Sequence, residues 1–128
     1  KNIYGPAGMT QTDHHDRMLP NARLADGYWK DEDGAWRRNI FLLSPRGTSA
    51  GGGYSTVGDL LAFDVALRAG KLVSDETRER LFSRDADRNS PAYGYGFMVM
   101  ALSPDREVGP GGTSPGVSAN LSMFLDSG

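Results

Sequence analysis

Three stretches of the chain hold residue types able to do chemistry. The first is Val108-Gly109-Pro110-Gly111-Gly112-Thr113-Ser114-Pro115-Gly116-Val117, with four glycines and two prolines in ten residues. Glycine at this density beside a strand marks a tight bend, or a place where a ligand or another backbone comes close, because no Cβ stands in the way. The plainer reading is an ordinary hairpin loop. The second stretch, Gly47-Thr48-Ser49-Ala50-Gly51, fits G-x-S-x-G, the turn that presents a nucleophilic serine. That turn needs a buried strand running straight into it and a helix straight out. Ser44-Pro45-Arg46 breaks the approach, and Gly52 and Gly53 delay the next helix. Both histidines precede Ser49, so no acid-then-histidine order follows it. A chance match is expected. The third stretch, Asp13-His14-His15-Asp16, carries metal-ligating side chains. Adjacent side chains diverge, and no further ligands stand at the usual spacing, so a solvated loop is expected and no metal.

Other motifs are missing. The sequence has no G-x-x-x-x-G-K-[ST] and no H-E-x-x-H. Its lysines are Lys1, Lys30 and Lys71, and none lies three residues after a serine; no tyrosine is followed two residues later by asparagine. Ser118-Ala119-Asn120 fits an S-x-N pattern, but lies mid-strand with its polar side chains expected to face solvent.

The elements that must position these residues are unevenly marked. Residues 1–54 read as loop-rich: a short strand within Arg23–Trp29, a turn at Asp31-Glu32-Asp33-Gly34, and an apolar run Ile40–Leu43. Residues 55–83 read as a helical pair. Thr56 is an N-cap with Asp59 three residues on, a variant of the capping box. Leu60, Leu61, Phe63, Val65, Ala66 and Leu67 supply a broad apolar face, and Gly70 is a natural stop, giving a helix over Val57–Ala69. Ser74 caps a second helix over Asp75–Phe82. Residues 93–128 read as antiparallel strands. Tyr93, Tyr95, Phe97 and Val99 alternate along Tyr93–Leu102, and Val117, Ala119, Leu121, Met123 and Leu125 along Val117–Leu125. Helices followed by antiparallel strands make the fold class α+β.

The totals bound the function. The chain has 128 residues, a net charge of −2 and no cysteine. One domain fits this length. Nucleic-acid binding is not expected, since no Lys/Arg cluster accompanies an aromatic ladder. No apolar run reaches the ~18 residues of a spanning helix. Absent cysteines exclude disulfides and thiolate chemistry and leave the compartment open. With 38% hydrophobic residues, 17 glycines and 7 prolines, the chain is loop-rich for a self-sufficient domain. It begins in a turn and stops at Asp126-Ser127-Gly128, a turn signal that leads one to expect a further strand. A portion of a larger protein is therefore expected, with association of copies through unpaired strand edges.

Read in order, five segments resemble one family. Pro6-Ala7-Gly8-Met9-Thr10-Gln11-Thr12 is similar to the PLGMxxT segment of serine β-lactamase and penicillin-binding-protein-like hydrolases, of the class C and family VIII esterase type. Ala22-Arg23-Leu24-Ala25-Asp26-Gly27-Tyr28 resembles their A-x-GY segment. Ser49-Ala50-Gly51-Gly52-Gly53-Tyr54-Ser55-Thr56-Val57-Gly58-Asp59-Leu60 resembles AGGLYSTxxDLxxF, with Phe63 in register. Tyr93-Gly94-Tyr95-Gly96-Phe97 resembles YGLGW, and Gly109–Gly116 resembles GHxGGxPG. The resemblance covers nearly the whole chain but only the C-terminal half of such enzymes.

It implies a partial β-lactamase/transpeptidase-like fold and a serine-dependent acyl hydrolase acting on a small-molecule ester, amide or β-lactam, without a cofactor. In that family a Ser-x-x-Lys supplies the nucleophile and its activating amine. A Tyr-x-Asn works as acid and base. A Lys-Thr-Gly or His-x-Gly on a strand edge lines the site and contributes a backbone N–H to the oxyanion hole. The first two elements are expected before Lys1. The third aligns with Pro110-Gly111-Gly112, with Pro110 replacing the basic or aromatic residue, and Thr113 would carry the oxyanion N–H. Ala50, Gly51 and Gly52 would fall in the loop lining the substrate cleft. This chain alone is expected to be inactive, since losing the nucleophile removes most of the rate. Two alternatives stand beside this: a non-catalytic binding module of the same fold, favoured by Pro110, and a small structural domain complete in itself.

Overall fold

The computed structural model describes residues 2–14, 16, 19–42, 46–84, 92–100 and 104–127. In chain order the elements are α1 (Tyr4–Ala7), β1 (Tyr28–Lys30), β2 (Trp36–Arg38), a 3-10 turn (Asn39–Phe41), α2 (Val57–Arg68), α3 (Asp75–Leu81), β3 (Met98–Met100), β4 (Glu107–Gly109), β5 (Gly111–Ser114), β6 (Val117–Asn120) and β7 (Met123–Phe124). The fold is α+β with small antiparallel sheets: β1 with β2, β3-β4-β7, and β5 with β6. No helix among the described residues is long and apolar enough to cross a membrane.

Both expected helices form where their caps place them. Thr56 is extended (φ −114, ψ 161), and its hydroxyl oxygen accepts the Asp59 N–H at 3.2 Å. Ser74 does the same for Thr77 at the start of α3. α2 closes at Ala69, with Gly70 following at φ 69. Asp59 departs from the capping box. Its buried carboxylate does not turn back to Thr56 but accepts from Gln11 N and from the Thr12 hydroxyl, each at 2.7 Å. The apolar face of α2 is covered on one side only. Ala66 and Leu67 are buried and Phe63 packs against the core, while Val57, Leu61 and Val65 lie exposed.

The core sits between these helices and the three-stranded sheet. Leu67, Phe82, Phe97, Val108 and Met123 form it, flanked by Leu72, Val99 and Leu125 among others. Phe82 meets Phe97 edge to face, with ring centroids 5.3 Å apart. Arg68 links the layers: its guanidinium pairs with Asp64 at 3.0 Å and donates to the Phe124 carbonyl at 3.2 Å.

Both expected long strands are shorter than their alternation implies. Of Tyr93–Leu102 only Met98–Met100 is strand, and residues 101–103 lie outside the described part. Before Met98 the chain turns: Gly94 N donates to Phe97 O at 2.8 Å, and Gly96 has φ 90. Tyr93 and Tyr95 are exposed, with Tyr95 under the Arg80 guanidinium at 5.1 Å. Val117–Leu125 divides into β6 and β7, which pair with β5 and β4. The two ladders share one register, so β4–β5 and β6–β7 form one long hairpin with Gly109 and Pro110 opposite Ser122 and Leu121. Pro110 accepts from Leu121 N at 3.0 Å but has no N–H to return, which interrupts the ladder. Gly109 is needed there, because a Cβ would run into the Leu121 carbonyl oxygen.

In the N-terminal part, the short strand expected within Arg23–Trp29 reaches only Tyr28–Lys30, and β2, which the sequence does not announce, pairs with it. Asp31 makes the connecting turn, accepting from Ala35 N at 2.8 Å and pairing with Arg37 at 2.7 Å. Ile40 and Phe41 lie in the 3-10 turn, not a strand, and residues 43–45 are outside the described part. Buried Asn39 ties this hairpin to the other: its Nδ2 donates to the Pro115 carbonyl at 2.8 Å. At the tip of the long hairpin Gly116 has φ 72, and a Cβ there would stand 2.6 Å from Tyr28 N and O. Only glycine meets both constraints.

Two outcomes follow for stability. Asp59→Ala leaves the Gln11 N–H and the Thr12 hydroxyl without their acceptor and costs about 3 kcal/mol, whereas Thr12→Val costs about 1 kcal/mol, by urea denaturation at constant m. The Arg37 guanidinium and the Ala35 N–H hold the Asp31 carboxyl below its ordinary range. Its folded pKa is thus below the unfolded one, so its contribution is full at neutral pH and is lost as the pH falls through the folded value. The β1–β2 amide resonances should shift on that acid limb in the native protein and not in Asp31→Asn.

Candidate functional site

The free edge of β5 is the central feature. β5 pairs with β6 in the register Gly111↔Asn120, Gly112↔Ala119, Thr113↔Ser118, Ser114↔Val117. Bonded and non-bonded pairs alternate along an antiparallel ladder. The Leu121 N to Pro110 O bond marks the Pro110–Leu121 pair as bonded. The bonded pairs of β5 are therefore at Gly112 and Ser114, and the N–H and C=O of Gly111 and Thr113 face away from β6. The turn before Met98 keeps that edge open. β3 begins opposite Gly109 and the chain leaves the sheet at Gly94–Phe97, so no described strand covers Gly111–Ser114.

Facing β5 is the loop 47–53. Thr48 and Gly51 exchange backbone bonds in both directions, at 2.7 and 3.1 Å. Gly51 and Gly52 have φ 143 and 92. At its neck the His14 imidazole lies against Gly47 and Gly53, where a Cβ on Gly47 would collide with Nδ1. The Tyr4 hydroxyl contacts His14 Nε2 at 3.0 Å, and Asp13 and Tyr54 bond each other's backbone behind it. Ser49 lies exposed in this closed turn, with no strand feeding it, so the G-x-S-x-G elbow geometry is not met. Among the described residues no group of acidic or histidine side chains could hold a metal; His15 lies outside them.

Loop and strand enclose a cavity of about 370 Å³. The seven residues that the resemblance assigns to the site line it: Pro110, Gly111, Gly112 and Thr113 on one side, Ala50, Gly51 and Gly52 on the other. The alignment of motifs did not name Val117, Ala119 or Leu121, which with Leu60 form its apolar wall, nor Asn120. Their alternation reads equally well as a core face, and only the β6–β7 division separates the cleft-facing residues from the core-facing Met123. Asn120, exposed as expected, also borders the cavity and donates to Ser122 Oγ at 2.9 Å. No charged side chain lines this cavity. Its polarity comes from backbone groups, Thr113, Ser114 and Asn120, an environment suited to a neutral carbonyl. Its glycines, without a Cβ, leave the backbone open to close approach on both sides.

Amide exchange tests the edge assignment. The N–H groups of Gly112 and Ser114 should exchange at least about tenfold more slowly than those of Gly111 and Thr113.

The sequence model of the family described as Beta-lactamase matches residues 1–128. No curated protein matches the chain. Among solved structures it is similar to a penicillin binding protein from Bacillus halodurans, at 26% identity and TM-score 0.82, over 96% of this chain and 39% of that one. An octameric penicillin-binding protein homologue from Pyrococcus abyssi shares 19% identity and a TM-score of 0.74, over 98% and 30% of the two chains. A D-stereospecific amidohydrolase from Streptomyces sp. shares 22% identity and a TM-score of 0.75, over 98% and 38%. The chain thus spans less than two thirds of the length of each of these proteins.

Proposed function

Since the chain belongs to the beta-lactamase family, we propose that it is the part of a serine-dependent acyl hydrolase that carries the cleft-lining loop and the third-motif strand. What supports this reading is the Thr113 N–H, which β6 leaves unpaired on the free edge of β5, in a residue that lines the cavity shared with Ala50, Gly51 and Gly52. The substrate is a small ester, amide or β-lactam. Its carbonyl oxygen lies against that edge. A serine outside this chain attacks the carbon, and a lysine amine beside it takes the proton. As the tetrahedral oxyanion forms, the Thr113 N–H and the nucleophile's own N–H donate to it. Collapse expels the leaving alcohol or amine, with a tyrosine returning the proton, and water then hydrolyses the acyl-enzyme. Gly111 and Gly112 keep the edge clear for the substrate, and the Gly51–Gly52 turn forms the opposite wall.

Pro110 supports a second reading, a binding module that kept the cleft and lost the chemistry. At this position the family resemblance implies a basic or aromatic side chain, and proline offers neither charge nor donor. Assembly is a further part of the proposal. Copies would pair through strand edges, and a monomeric sedimentation profile would count against it.

The test uses the full-length protein with nitrocefin and p-nitrophenyl acetate. Turnover is expected for the hydrolase, and none for the binding module. Thr113→Pro removes an N–H that the ladder does not use, so the fold tolerates it, and kcat falls about 10²- to 10³-fold. An unchanged kcat would remove Thr113 from the oxyanion hole. Residues 1–128 alone should show no turnover; activity there that Ser49→Ala abolishes would revive the serine elbow.

A further inference from the structure

Beside the cleft lies a second and larger cavity, of about 570 Å³. The two share Gly53 and Val117 as walls, so they adjoin there. Unlike the cleft, this part is charged. Arg23 lines it, and so does Asp26. Asp26 is spoken for: Arg38 holds its carboxylate at 2.6 Å. Among the described residues Arg23 has no acidic partner. Its Nη1 donates to the Gln11 side-chain oxygen at 3.0 Å, and its backbone N–H to Asn21 Oδ1 at 3.1 Å. The Gln11 amide is itself oriented, because its Nε2 donates to the Thr10 carbonyl at 3.2 Å and its backbone N–H is anchored on buried Asp59. A neutral acceptor therefore aims the guanidinium without neutralising it, and leaves donors of its planar fork for a ligand.

We propose that this recess is a subsite for a carboxylate carried by the substrate, held by Arg23 on the far side of Val117 from the carbonyl under attack. A guanidinium with an oriented fork selects a planar anion, where the uncharged cleft selects only a carbonyl. The word substrate rests on the hydrolase reading; the binding of a carboxylate does not.

Two measurements on the full-length protein separate them. In ¹H–¹⁵N spectra, millimolar glutarate should shift the Arg23 Nε–H and the Gly53 and Ser118 amides, while glutaramide should not. Arg23→Gln should abolish these shifts and Arg23→Lys retain part of them. In turnover, the preference for p-nitrophenyl hydrogen glutarate over p-nitrophenyl butyrate should fall about tenfold in Arg23→Gln. Absence of glutarate shifts, or shifts unaltered in Arg23→Gln, overturns the subsite. Shifts that depend on Arg23 without turnover of either ester overturn the hydrolase reading and leave the anion site standing.

Discussion

The buried carboxylate of Asp59 is the contact on which the site depends. It stands in the first turn of α2, where the helix dipole favours an acid, and accepts from the Gln11 N–H and the Thr12 hydroxyl. With its proton given to Asp59, Thr12 Oγ1 accepts from Ser55 at 2.7 Å. Three polar groups from two distant segments thus converge beside one helix start. The consequence runs outward. The next residue, Asp13, bonds Tyr54 in both directions, and His14 then fills the neck between Gly47 and Gly53. The 47–53 loop is held at both ends, and this carries Ala50–Gly52 to the edge of β5. A charged hydrogen bond shielded from water is strong enough to fix such a junction, where an exposed ion pair is not.

Pro110 is the opposite kind of device, one that acts by what it lacks. Without an N–H it breaks the ladder between β4 and β5 while the Leu121 N–H still bonds its carbonyl. The register survives the break, so the alternation of bonded pairs continues and Thr113 still points outward. At the position where the resemblance implies a side-chain donor, the proline therefore leaves the Thr113 N–H, three residues on, undisturbed. This is why the same proline is compatible with an acyl-transfer site and with a cleft that has lost its chemistry.

Much of the helical part was legible. Thr56, Ser74 and Gly70 act through their own neighbours in sequence, so caps and stops can be read without knowing the fold. The strands were less so. Tyr93, Tyr95, Phe97 and Val99 alternate as a strand does, yet Gly96 takes a positive φ and turns the chain. Val117, Ala119, Leu121 and Met123 share one alternation, yet Val117 and Ala119 border the cleft, Leu121 borders both, and Met123 is buried in the core. Period-two patterning reports that one face is apolar and not which surface that face meets. Arg23 went unremarked because nothing in its surrounding residues tells a solvated arginine from one aimed by Gln11.

By itself, the sequence determined the bounds of α2 and α3 to within a residue, the α+β class and, through five ordered segments, the family. These are local properties of caps and glycines, or patterns shared with a family. The tertiary structure decided how those residues are placed together: which edge of β5 stays open, which N–H groups β6 leaves unpaired, and where a charge lies beside the cavity. Those depend on Asp59 meeting Thr12 across 47 positions, on Asn39 reaching Pro115, and on the turn at Gly96 taking the chain off the sheet. Contacts between residues far apart in the chain are set by the packing of the whole, and no window of the sequence contains both partners.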